Sequence, residues 1–106
     1  PRGARQQQMT SFSPREIAYC EPRGSRSQNY AARFAAKEAF FKALGTGWRG
    51  GMGFHEVEIV NDRLGKPGIV LTGRAKASCR KPRVRKIHVS LSHLKDYSSA
   101  VVVMEN

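Results

Sequence analysis

Acidic residues are scarce in this sequence. Only 8 of its 106 residues are Asp or Glu, against 19 Lys or Arg, none precedes Glu16, and the formal net charge is +11. A field of that sign favours phosphates or an acidic partner. Cysteine is nearly absent as well. Cys20 and Cys79 lie far apart without metal-ligand spacing, which favours two reduced thiols packed as small hydrophobes over a disulfide. No apolar run approaches the ~18 residues of a membrane span and no signal peptide is visible, so a cytoplasmic setting without membrane contact is expected. From Arg74 to Lys86 seven of thirteen residues are basic and none is aromatic. Single strands of nucleic acid are held by cations with stacking rings among them. A nucleic-acid binder is therefore set aside, and the cluster reads as a solvated face.

What is present describes one globular domain, 40% hydrophobic, with modest burial for its size, which an oligomer would relieve. Residues 1–11 have no usable periodicity and begin without methionine. They read as an irregular remnant of a chain cut at its front, ahead of a single domain over 12–106. Ser13-Pro14-Arg15-Glu16 is a helix start, with Ser13 as N-cap, Pro14 at the first position, Glu16 closing a capping box, and Phe12 and Ile17 spaced as a staple. This predicts a short helix from Pro14 to Cys20. The polar stretch 21–28 is a connection, and a long helix follows over 29–44. Residues 54–60 alternate as a strand with His55, Val57 and Ile59 on one side, 61–67 is turn chemistry, and 68–72 is the return strand. A short helix is expected within 74–82. Residues 87–93 alternate again, with Ile87, Val89, Leu91 and His93 on the inward parity. Lys95-Asp96 then turns the chain into a last arm over 98–104.

The organising stretch is Arg33-Phe-Ala-Ala-Lys-Glu-Ala-Phe-Phe-Lys-Ala-Leu-Gly-Thr-Gly47. Its composition is helical, and Gly45 supplies a left-handed stop. At about 100° per residue, Tyr30, Ala31, Phe34, Ala35 and Phe41 form an apolar stripe from which Glu38 and Lys42 also project. An ion pair at i,i+4 is one account of those two. The Gly45-Thr46-Gly47 run directly after them is another, because its open backbone amides offer an anion a place beside the charges. Phe40, Leu44, Arg33 and Lys37 fall on a second face, read as contact surface for a neighbouring subunit.

The blocks Phe34-Ala-Ala-Lys-Glu-Ala39, Lys42-Ala-Leu-Gly-Thr-Gly47, Val57-Glu-Ile59, Asn61-Asp62, Gly65-Lys-Pro67 and Ser90-Leu-Ser-His93 closely resemble, in that order, the holo-[acyl-carrier-protein] synthases, the small 4'-phosphopantetheinyl transferases. The resemblance implies an α+β fold in which an antiparallel sheet of hairpins packs on a long helix, and a homotrimer. It implies transfer of 4'-phosphopantetheine from coenzyme A to a serine of apo acyl carrier protein, with release of adenosine 3',5'-bisphosphate, a reaction of lipid metabolism. Glu38 matches the family's magnesium ligand and Lys42 the lysine near the phosphates. Gly45, Thr46 and Gly47 match the loop beside the pyrophosphate, Arg33 a basic residue near coenzyme A, and His93 the histidine at its nucleotide end. The family's opening Gly-x-Asp-x-x-Glu strand, which carries a second metal ligand, has no counterpart in residues 1–11. An inactive remnant or a carrier-protein binding module is the alternative expectation.

Overall fold

The computed structural model describes residues 11–45, 53–80, 83–94 and 97–105. The chain starts where the capping chemistry places it. Helix α1 spans Pro14–Cys20; the Ser13 hydroxyl accepts from the Glu16 amide at 3.2 Å and the Glu16 carboxylate accepts from the Ser13 amide at 3.0 Å, closing the box. Helix α2 runs Arg26–Leu44, so the polar connection is shorter than its composition indicated. Gly45, at φ +83, ends it, its amide donating to the carbonyls of Phe41 and Lys42 at 3.1 Å. Thr46, Gly47 and residues 1–10 lie outside the described residues, and so do Lys81, Pro82, Lys95 and Asp96.

Residues Phe54–Glu56 form a single 3-10 turn rather than the first half of a strand, and strand β1 covers only Val57–Asn61. His55 is consequently exposed while Val57 and Ile59 are buried. The alternation that grouped all three fails because Glu56 folds back onto the next helix: its carboxylate accepts from the Ala75 amide at 3.2 Å. Strand β2 is Pro67–Leu71, antiparallel to β1 with Val57 opposite Leu71. Helix α3 is Gly73–Ser78. Strands β3, Lys86–Leu94, and β4, Tyr97–Glu105, form the second antiparallel hairpin, with Ile87 opposite Met104.

Helix α2 packs mainly on β3 and β4 and also touches β1 and α1, and β2 lies beside β3. The architecture is therefore α+β, two hairpins gathered on one long helix. Phe40, Phe41, Phe54, Val57, Ala75 and Cys79 make the core, with the Phe41 and Phe54 rings stacked at 5.4 Å. Both cysteines are free and buried, and burial pushes both thiols above the ordinary value. No helix among the described residues is long and apolar enough to cross a membrane.

Candidate active site

The rotation of α2 about its axis decides what the site can contain. Its buried residues are Ala32, Arg33, Ala36, Lys37, Phe40 and Phe41, and its exposed stripe carries Ala31, Glu38 and Lys42. This corrects the sequence expectation, which set Glu38 and Lys42 within the apolar stripe and offered Phe40, Leu44, Arg33 and Lys37 to a second subunit. The face of Arg33, Lys37 and Phe40 is covered by the chain itself. No ion pair joins Glu38 to Lys42 among the described residues.

Lys37 is why the helix sits this way. Its ammonium has no exposed surface and donates to Glu16 Oε1 at 2.8 Å, to the Phe54 carbonyl at 2.8 Å and to the Val57 carbonyl at 2.6 Å. Three donors therefore meet three acceptors. The other oxygen of Glu16 accepts from the Ile59 amide at 3.1 Å. Desolvation pushes the Lys37 pKa down and the Glu16 carboxylate opposes that shift. With Lys37 held inward, Glu38, about 100° further round the helix, must face out. Its partners α1 and β1 are in turn locked by Glu58, whose carboxylate takes hydrogen bonds from Arg15 and from the Ser13 hydroxyl and is held below the usual carboxylate range, chiefly by the Arg15 bond.

Arg33 is only 1% exposed, yet its guanidinium is not fully used. One terminal nitrogen reaches Asn29, the other donates to Asn61 Oδ1, the plane lies 4.4 Å from the Tyr19 ring, and Nε is buried without a partner. The residue lines a cleft of about 390 Å³ shared with Tyr19, Asn61, Lys66 and Ser90. Lys66 is placed there by a tight turn: Asp62 Oδ1 accepts from the Leu64 and Lys66 amides at 2.9 and 2.8 Å, and Gly65 takes φ +86. Arg33 buried in the wall and Lys66 exposed at the mouth make this hollow electropositive, which favours an anion. On β3, Ser90 edges this cleft and His93 stands three residues further on, paired in register with Ser98; the His93 side chain lies outside the described residues.

The candidate residues thus fall into two places. Arg33 enters the cleft, whereas Glu38, Lys42 and Gly45 line the exposed edge and end of α2 and do not line it. Sequence reasoning missed Tyr19, which carries no distinctive local pattern, and noted Ser90 only as part of the Ser90-Leu-Ser-His93 block, not as a lining residue. It also took Glu16 only for a cap, although the same carboxylate is the partner of Lys37. Among the described residues no three of His, Cys, Asp and Glu gather in a metal-binding group. Glu38 is a single open carboxylate. That fits magnesium, which needs one or two protein carboxylates and completes its shell from substrate phosphates and water.

The sequence profile of the 4'-phosphopantetheinyl transferase superfamily matches residues 3–102. A holo-[acyl-carrier-protein] synthase of Geotalea daltonii is 51% identical over 94 residues, which is 89% of this chain and 75% of that protein. Among solved structures, the holo-[acyl-carrier-protein] synthase of Neisseria meningitidis superposes with TM-score 0.83 at 34% identity, covering 92% of this chain and 78% of its own. The Helicobacter pylori synthase in complex with coenzyme A superposes with TM-score 0.82 at 29% identity, covering 98% and 85%.

Proposed function

The chain belongs to the 4'-phosphopantetheinyl transferase superfamily, and from that premise we propose that it transfers the 4'-phosphopantetheine group of coenzyme A to a serine of an apo acyl carrier protein. The observation that carries this reading is the setting of α2. In a chain 51% identical to a holo-[acyl-carrier-protein] synthase over 94 residues, that helix turns Glu38 and Lys42 to solvent just before its Gly45 cap and keeps Arg33 in a polar cleft.

The serine oxygen attacks the phosphorus that bears the pantetheine arm. The bond from that phosphorus to the bridging oxygen breaks, the departing phosphate leaves as part of adenosine 3',5'-bisphosphate, and the serine proton passes to a base. Lys42 balances charge on the pyrophosphate, and Gly45, Thr46 and Gly47 bring backbone amides to it. Arg33, with His93 beyond Ser90 on β3, takes the nucleotide end, where the guanidinium in the cleft wall supplies positive charge opposite a phosphate. Glu38 either holds magnesium or orients the water that accepts the serine proton. When bound there, magnesium supplies Lewis-acid polarisation of the phosphoryl oxygens. Residues 12–106 act as one domain, in the cytoplasm, within a homotrimer.

The test is transfer itself, followed as the mass gain of apo carrier protein in the presence of coenzyme A. Glu38→Ala is expected to lower kcat by about 10²-fold or more, the size of losing one charge-stabilising group, and a chelator should arrest the wild-type reaction until magnesium is restored. Lys42→Ala should raise the KM for coenzyme A. Full turnover in Glu38→Ala would remove that residue from the site. Carrier binding without any transfer would make the chain a binding module instead.

A further inference from the structure

A second cleft, of about 610 Å³, opens where β2, the segment after α3 and the start of β3 meet. Its floor is apolar. Ile69 and Leu71 of β2 and Val84 and Ile87 at the entry to β3 are half-buried and continuous with the core, so the part of each that remains open faces the cleft. Its rim is cationic: Lys76, Arg80, Arg83 and Arg85 are all exposed there, and none of the four has an acidic partner among the described residues. Arg83 sits at the rim with φ +53, a conformation that side-chain-bearing residues seldom adopt. The backbone around it is fastened by Arg83 N–H to the Arg80 carbonyl at 3.2 Å and by Val84 N–H to the Cys79 carbonyl at 3.0 Å.

Four unpaired like charges repel one another and attract an anion, while a half-open aliphatic floor gains by losing water. A bare phosphate would leave that floor wet, and a neutral alkyl chain would leave the rim unbalanced. We propose that this cleft binds a free single-chain amphiphilic anion, its alkyl chain over Ile69, Leu71, Val84 and Ile87 and its carboxylate or phosphate among Lys76, Arg80, Arg83 and Arg85. The concave shape, of the volume ordinary small-ligand sites have, selects a single free chain over a membrane surface. None of these residues belongs to the transfer site, and binding here is independent of that reaction.

Sodium dodecanoate, kept below its micelle concentration, is the probe, titrated into the full chain with methyl-resolved NMR as the readout. Saturable shifts of the Ile69, Leu71, Val84 and Ile87 methyls are expected. Arg83→Glu/Arg85→Glu should weaken binding at least about tenfold, the weight of a charge-assisted contact, and dodecanol should bind about tenfold more weakly than dodecanoate. If that double variant loses its fold by NMR, Lys76→Gln/Arg80→Gln serves the same purpose. Shifts produced equally by inorganic phosphate would reduce the site to its rim, and equal binding of dodecanol would reduce it to its floor; either overturns the proposal. So would shifts confined to other methyls, or capture by phosphatidylglycerol vesicles without binding of free dodecanoate.

Discussion

At the residue scale, buried charge is the feature that most shapes this protein. Glu16 and Lys37 have no exposed surface, and the hydrogen bonds that justify their burial reach α1, the 3-10 turn and β1 together. Removing one member of such a pair strands the other, at about 3–5 kcal/mol, whereas removing both costs less than the sum. Lys37→Met and Glu16→Gln should each lower the urea midpoint sharply, with the double variant recovering part of the loss; strictly additive effects would show that the two do not act as a pair. Glu58 sets a pH dependence. Because Arg15 and Ser13 hold its carboxyl below the ordinary value, the unfolded chain takes up the proton first as pH falls. Its contribution is therefore complete above about pH 4.3, the unperturbed value, and lost as pH falls through the lower folded one. Glu58→Gln should flatten that part of an acid-unfolding curve, and an unchanged acid limb would place the sensitivity elsewhere.

At the scale of elements, the end of α2 matters because Glu38, Lys42 and the loop proposed to meet the pyrophosphate all depend on where that helix stops. Gly45 has φ +83 and open space around the position of a Cβ, so an alanine there meets no clash and suffers only the left-handed backbone, about 1–2 kcal/mol. Gly24 has the same open space and no positive φ. Thermal melts should therefore separate the two: Gly45→Ala lowers Tm by several degrees, and Gly24→Ala leaves it level or raises it slightly. Equal shifts would mean that the cap conformation carries no weight in holding the helix end.

For the whole molecule, the large hydrophobics left exposed among the described residues are Leu64 and Val70, which stand apart, and two that adjoin on β4. Val101 and Val103 are 60% and 48% exposed, side by side on the outer face of the second hairpin, opposite Ser90 and His88 of β3. Since the chain already covers Arg33, Lys37 and Phe40, this valine face is the surface on which the proposed trimer would close. Sedimentation equilibrium at micromolar concentration should give a trimeric mass that falls to a monomer in Val101→Glu/Val103→Glu. A wild-type monomer would refute the trimer, and a trimer unmoved by the double variant would shift its interface elsewhere.

The sequence by itself determined whatever local chemistry decides. Ser13, Pro14 and Glu16 set the start of α1 to the residue, Gly45 set the end of α2, and alternation with turn residues marked both hairpins, because caps, left-handed glycines and pleat parity act within a few neighbours. The blocks around Lys37, Gly45 and Ser90 carried the family. The tertiary structure alone decided the phase of α2. A stripe count scores Lys37 and Arg33 as outward, and only Glu16, 21 residues before Lys37, and Asn61, 28 residues after Arg33, make the burial of those cations tolerable. His55 left its apparent parity for the same kind of reason, since Glu56 is drawn to the amides of α3, 19 residues away at Ala75. Hydrophobic periodicity records the solvent preference of a side chain, and a buried charge follows its partners, which lie far along the chain.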